Sequence, residues 1–339
     1  MDDMLTASIE PVLEERCTPA LVREMLGAGA HNARRDLWQA LDELGFLDAL
    51  VPESAGGSGV SLDECAGVLF AFGRHAMPVP AAHTMIARRL LADASMARPR
   101  GPIAFAVLDG SASNAAFVPF GLACESVLVE MSDGLRLIDI DDATVHPRTE
   151  WGGLDATVVF PAGVGKHMGA ACAGKEPNTR VLLGLGALVT AAFMVGAMTR
   201  VLEMTIGYVN DRQQFGRSIG KFQVVQHNLS VMAEHVAAAQ IAVQSGCASE
   251  SPLRCAIAKA RASRAAPLVA NTAHALTGAM GITAEYDLQL YTRALHSQRL
   301  QFGSESYWDE IVGTYALEHW SSAVPSIVDL TSSTASGAT

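Results

Sequence analysis

The residues best suited by type and spacing to do chemistry lie between Tyr208 and His235, in YVNDRQQFGRSIGKFQVVQHNLSVMAEH. Arg212, Phe215 and Gln223 put a cation, an aromatic plate and an amide near one turn. A guanidinium stays charged at any working pH and pairs bidentately with phosphate oxygens, so Arg212 is a candidate phosphate ligand. An arginine there equally suits a helix C-terminus, where the dipole favours a cation. Phe215 suits stacking on a flat ring or packing in a core, and Gln223 suits a phosphate, an adenine or a helix start. Gly278 and Gly281, in HALTGAMGITAEY, allow backbone to approach a phosphate or a second helix closely. The ten histidines show no metal-helix spacing with a nearby carboxylate set, which predicts no metal. The six cysteines are scattered without C-x-x-C spacing and read as reduced thiols of a cytoplasmic protein.

The elements that position these residues follow from apolar spacing. Asn210 to Gln214 reads as a polar turn after one helix, and a second helix opens after Ser218-Ile219-Gly220. On it Phe222, Val225, Leu229, Met232 and Val236 form one stripe at steps of three and four, which demands a partner helix. Helices are predicted at about 179–210, 221–246, 251–276 and 305–320, with a short helical piece over 284–295, giving a helical bundle. Residues 1 to about 95 also read as helices, with Trp38, Leu41, Leu44 and Phe46 on one apolar face. Ser54 to Gly59 is a loop and not a dinucleotide fingerprint, since no strand precedes it. Ser61 with Glu64 has the spacing of a capping box. Between about 102 and 164 the period shortens: 103–107, 126–129, 135–138 and 156–160 read as strands, with turns at Asp109-Gly110 and Asp133-Gly134. The expected organisation is mostly α with a small β domain: a helical domain over 1–100, a β domain over 101–164 and a helical bundle over 165–320. A Gly/Ala-rich linker is expected over 165–178 and a frayed tail over 321–339.

Composition narrows the function classes. The formal charge is −11, which argues against nucleic acid or an anionic membrane as the main partner. The acidic start lacks the pattern of a secretory signal. Residues 181–198 are uncharged and nearly long enough to span a membrane, but they contain three glycines and a threonine and run into the helix before Arg212. A buried bundle helix, and no membrane span, is expected.

R-x-x-F-G followed by F-Q-x-x-Q-H resembles the C-terminal domain of acyl-CoA dehydrogenases, a family of FAD enzymes. Leu37 to Phe46 with Val51-Pro52-Glu53 and the glycines that follow, and Phe72-Gly73-Arg74 with Pro78 and Pro80, resemble that family's N-terminal domain. His274 to Tyr286 resembles its second FAD segment. The resemblance implies the acyl-CoA dehydrogenase fold, with a four-helix C-terminal bundle. It also implies FAD as cofactor, contacted by Arg212, Phe215, Gln223, Gly278 and Gly281, with Arg212 reaching the diphosphate of a neighbouring subunit. Two departures stand out. Ala275 and Ala279 replace the usual Gln and second Gly of the FAD segment, and the Thr-Glu-Pro-type motif is absent from a β domain that looks shortened.

The resemblance also implies a proton acceptor that this chain lacks. In the commonest arrangement the slot of the glutamate falls at Phe302, and in the other known arrangement it falls at about Gly186. Neither is an acid, so no catalytic residue is assigned, and Glu203 and Glu305 are out of register. The implied function is a subunit of an FAD-dependent dehydrogenase that desaturates an acyl-CoA thioester. It would support FAD in trans for a larger partner subunit with an intact Glu, with electron-transfer flavoprotein as acceptor. The alternatives are a non-catalytic homo-oligomer that binds flavin or acyl thioester, and a homotetramer with Glu305 as a displaced base.

Overall fold

The computed structural model describes residues 2–27, 29–108, 114–148, 153–161, 165–168 and 180–319. The turn expected at Asp109-Gly110, most of the expected linker, Cys172 and the tail from 321 lie outside these residues.

Five helices open the chain: α1 (Asp2–Arg16), α2 (Pro19–Leu26), α3 (His31–Glu43), α4 (Ala66–Arg74) and α5 (Ala81–Asp93). Leu37, Trp38, Leu41 and Phe46 are buried, as their spacing requires. Leu44 is not. It caps the end of α3, where the helical period stops applying, and stands 53% exposed. The capping box forms reciprocally: the Ser61 amide donates to Glu64 Oε2 at 3.0 Å and the Glu64 amide to Ser61 Oγ at 3.2 Å.

The middle of the chain makes two small sheets. The first runs β1 (Ile103–Val107), β3 (Ser126–Met131), β4 (Gly134–Asp139), β7 (Lys166–Met168), with β1 and β3 parallel and the rest antiparallel. The second is antiparallel, in the order β2 (Ala115–Val118), β6 (Ala156–Val159), β5 (Thr144–Pro147). β1 is buried on both faces. Ala104 and Ala106 pack with Val127, Val129 and Val158 between the sheets, while Ile103 and Phe105 join the large helical core. Three strands escape the sequence expectation. β5 is largely exposed and contains His146 and Pro147, so no alternation marks it. β2 is only four residues long, and β7, three residues long, lies where a linker was expected.

The C-terminal part holds α6 (Val181–Asp211), a hairpin of β8 (Gln213–Gln214) and β9 (Arg217–Ser218), then α7 (Gln223–Ser249), α8 (Pro252–Thr277), α9 (Leu288–Gln298) and α10 (Glu305–His319). α6 packs against α4, α7, α8 and α9. By length and hydropathy it could cross a membrane, but 89% of its apolar window is buried within the protein, as for a core helix. The stripe on α7 faces inward: Val225, Met232 and Val236 are buried. The helical domain is locked to the bundle by two glycines. A Cβ on Gly73 would meet the Phe193 carbonyl at 1.9 Å, and one on Gly196 would meet the Phe70 carbonyl at 1.9 Å. Backbone meets backbone there, so α4 and α6 cross without room for a side chain at either glycine.

Candidate functional site

Arg212, Phe215 and Gln223 are brought together by the β8–β9 hairpin. Its central residues, Phe215 and Gly216, have φ of +54° and +76°, the twist that a two-residue turn between antiparallel strands needs. The Ile219 amide donates to the Arg212 carbonyl at 3.0 Å and Ser218 Oγ to the Val209 carbonyl at 2.8 Å, fixing the hairpin to the end of α6. Phe215 is 89% exposed in a backbone conformation that costs a non-glycine residue about 1 kcal/mol. Its ring meets that of Phe222 edge-on at 6.0 Å. Arg212 is also exposed, with a 3.2 Å bond to the Tyr208 hydroxyl and its guanidinium 5.9 Å from the centre of that ring. Gln223 is exposed in the first turn of α7. A cation, an aromatic ring and an amide are therefore all exposed around one turn.

Gly278 and Gly281 lie on a separate turn after α8. Gly278 has φ +60°, and a Cβ there would meet nothing within 4 Å, so the backbone is open to an incoming group. Gly281 has a packing reason, since its Cβ would strike Thr277 Oγ1 at 2.1 Å. Tyr286, from the same segment, reaches the end of α6: its hydroxyl donates to the Met204 carbonyl at 2.9 Å, and its ring lies 5.8 Å from that of Tyr208.

The two positions at which an acid would be expected meet in space. A Cβ on Gly186 would lie 2.7 Å from the ring of Phe302, which packs against the bare backbone of α6. His83 closes the other side. It stacks on Phe105 at 4.6 Å and meets Phe302 edge-on at 5.6 Å. Burial pushes the His83 pKa down to about 3, so the ring is neutral. The loop that carries Phe302 is pinned from beneath by Lys259, whose buried Nζ donates to the carbonyls of Arg299 and Gly303 and to Ser263 Oγ, all at 2.9 Å. Burial pushes the Lys259 pKa down to about 7. Both out-of-register acids are ion-paired. Glu305 is held by Arg299, whose Nε donates to both its oxygens at 3.0 Å and keeps the carboxyl below its usual range. Glu203 pairs with Arg74 and lies 3.7 Å from Arg200.

A cavity of about 380 Å³ opens beside this plug, where all three parts of the chain meet. Leu26, Met77, Phe120, Phe193 and Leu290 supply much of its apolar wall. Asp155 lines it as well, and its position carried no signal in the sequence. It comes from the strand edge before β6 and accepts from the Phe120 amide, Ser297 Oγ and Gln301 Nε2, each at 3.1 Å. Burial raises its pKa above the ordinary carboxylate value, against the pull of those three donors. Among the described residues, no group of three or more His, Cys, Asp or Glu side chains is placed to hold a metal ion.

The chain is similar along nearly its whole length to known proteins of one kind. The model for the acyl-CoA dehydrogenase N-terminal domain matches residues 2–97, and the model for the C-terminal domain of the same family matches residues 178–315. The acyl-CoA dehydrogenase IpdE2 of Mycolicibacterium smegmatis is 28% identical over 303 residues, covering 89% of this chain and 94% of the relative. Two solved structures share the fold. One is in the ChsE4-ChsE5 complex from Mycobacterium tuberculosis, with TM-score 0.79, 22% identity and coverage of 94% of this chain and 97% of that one. The other is in the Tcur3481-Tcur3483 steroid ACAD G363A variant, with TM-score 0.80, 23% identity and coverage of 94% and 98%. With helices flanking a small β domain and the R-x-x-F-G hairpin intact, the chain belongs to the acyl-CoA dehydrogenase family, oxidoreductases that act on CH–CH bonds.

Proposed function

We propose that this chain is the supporting subunit of a two-chain, FAD-dependent acyl-CoA dehydrogenase in the cytoplasm, with electron-transfer flavoprotein as the electron acceptor. The partner is a larger subunit that keeps the catalytic glutamate. The observation that supports this reading is the packing of Phe302 against Gly186 under His83 and Phe105. Phe302 and Gly186 are the two positions at which the resemblance puts a proton acceptor, and neither is an acid. Phenylalanine cannot take a proton, and burial disfavours the protonated form of the neighbouring imidazole, which makes it a weak base.

The exposed residues fit a flavin dinucleotide held across an interface. Arg212 has the charge and the fork for a diphosphate, Phe215 offers an unpaired face, and Gln223 offers an amide at a helix start. Gly278 leaves room for a close approach of phosphate or ribose to backbone. When bound, FAD supplies the hydride acceptor for α,β-desaturation of the thioester. The residues of this chain then contribute binding and orientation, while the proton passes to the partner's acid. Two of the structures this chain resembles are named as two-component assemblies, and one of those is named a steroid enzyme, which supports a bulky acyl group as substrate.

The test is co-expression with a full-length dehydrogenase that has an intact glutamate, followed by measurement of flavin per protomer. The expected result is a colourless chain alone and roughly half-occupancy in the complex, with Arg212→Met lowering flavin retention by about tenfold. A chain that is fully yellow by itself and desaturates a thioester at an enzymatic rate would overturn the proposal.

A further inference from the structure

Two arginines flank the β8–β9 hairpin, and charge alone would send both to a diphosphate. Their surroundings separate them. Arg212 lies 5.9 Å from the centre of the Tyr208 ring, at the outer limit of a cation–aromatic contact. Arg217 lies 4.2 Å from the centre of the Phe222 ring, in stacking contact. Its guanidinium therefore covers one face of Phe222. The same ring meets Phe215 at 6.0 Å with the two planes at 89°. Arg217, Phe222 and Phe215 thus form one row of contacts, from β9 across the start of α7 to the tip of the hairpin. The resemblance gives roles to Arg212, Phe215 and Gln223, but none to Arg217 or Phe222.

Phe222 is the fixed member of the row. It stands half-buried just before α7. Its amide donates to the Ile219 carbonyl at 3.1 Å, and its carbonyl accepts from the Val225 and Gln226 amides at 3.0 and 3.1 Å. Phe215 has no such support, being 89% exposed at a turn with φ +54°. A ring so placed in water samples several rotamers, and ordering it on binding costs affinity. The edge-on contact with Phe222 limits that sampling. Arg217 in turn holds the Phe222 ring, because a planar guanidinium packs on a ring face. Arg217 is itself paired with Gln214 across the two short strands, so its backbone belongs to the hairpin whose tip it steadies.

We propose that Arg217 and Phe222 are positioning residues, which present the Phe215 ring in one orientation before a flavin dinucleotide arrives. Neither touches the reacting atoms. Arg217 acts through Phe222, and Phe222 acts through Phe215. The guanidinium of Arg217 is committed to a ring, which leaves Arg212 as the cation for the diphosphate. For what the Phe215 ring meets, this inference rests on the function proposed above. For the order of the ring itself, it does not.

The first measurement needs neither flavin nor partner. In NMR spectra of the full-length chain carrying isotope-labelled phenylalanine, the Phe215 ring signal is identified by its loss in Phe215→Leu. The Phe222 ring beside it is expected to shift that signal away from the position of free phenylalanine. Arg217→Met keeps the length of the side chain and removes the charge, and should move the signal most of the way back. Arg217→Lys keeps a cation near the ring and should preserve most of the shift. The second measurement uses the co-expressed two-chain complex and follows the release of flavin on dilution. Arg217→Met should weaken flavin retention by about threefold, the size of one exposed cation–aromatic contact, and should add nothing in a Phe215→Leu background. If Arg217→Met fails to fold, Arg217→Gln serves in its place with the same expectations. A Phe215 signal that stays put when the guanidinium is removed would overturn the inference. So would a flavin loss that adds in full to that of Phe215→Leu, because Arg217 would then act by its own charge. A chain that is yellow and active alone refutes the two-chain reading and leaves the ring signal to decide this one.

Discussion

Asp155 shows how burial changes a single residue. It reads in the sequence as one acid among many, yet it stands against an apolar cavity with its pKa raised above the ordinary carboxylate value. For a carboxyl shifted in this direction, the folded chain holds a proton that the unfolded chain has already released. The stabilising contribution is complete below the unfolded value of about 4 and is lost as pH rises through the folded value. Urea unfolding of the native chain and of Asp155→Asn should therefore diverge with pH. The native chain should lose stability relative to the variant as pH climbs from about 4, then level off. A difference between the two that stays flat from acid to neutral pH would show that Asp155 is not held in this way. Lys259 reports the same physics with the opposite charge. Besides Ser263 in its own alanine-rich helix, its partners are two carbonyls some forty residues away, of which the helix gives no hint.

At the level of elements, α6 and the α9–α10 loop make one joint. Gly186 has no side chain and Phe302 supplies a ring that covers the gap, with φ of +51° at Phe302 and +97° at Gly303 holding the loop in a sharp turn. Gly186→Ala would push a methyl to 2.7 Å from the ring. It should cost about 1–3 kcal/mol in chemical denaturation, the usual range for overpacking. In a Phe302→Ala background the clash is gone, and the same change should cost almost nothing. The pair should thus be strongly non-additive in a double-mutant cycle. Additive losses would mean that Gly186 is needed for a reason other than the ring. The family resemblance named the two positions as alternative slots for an acid but said nothing of their meeting. That they meet as ring on backbone, under His83, could not be read from residues so far apart in the chain.

For the whole molecule, the exposed hairpin matters most. An aromatic ring 89% exposed in a left-handed backbone conformation contributes little to the fold of its own chain. Phe215→Ser should leave the thermal unfolding of the chain nearly unchanged, because serine keeps a Cβ and with it the left-handed strain. In the proposed two-chain assembly the same change should weaken association by about 2 kcal/mol, as expected for a buried aromatic anchor. Sedimentation of the folded variant with its partner checks this, and undiminished assembly would rule out a role for the ring at an interface. The turn between the two helices was legible from Phe215-Gly216 and the polar residues before it, because turn chemistry is local, whereas the two-residue strands β8 and β9 were too short to leave a period.

By itself the sequence determined what depends on neighbours a few positions away. The long helices, the stripe on α7, the capping box at Ser61 and Glu64, the strands with clear runs of apolar residues, and the family of the hairpin all fall in this class. Short or exposed strands such as β5 and β7 left no period to detect, and Leu44 followed the period past the end of its helix. Only the tertiary structure decided which distant groups share a dry space: Gly73 with Gly196 across two helices, Phe302 with His83 and Gly186, and Asp155 with Gln298 around a cavity. Burial, and with it the charge state and unmet hydrogen bonds of those groups, comes from contacts between segments hundreds of positions apart in places, and no local pattern encodes it.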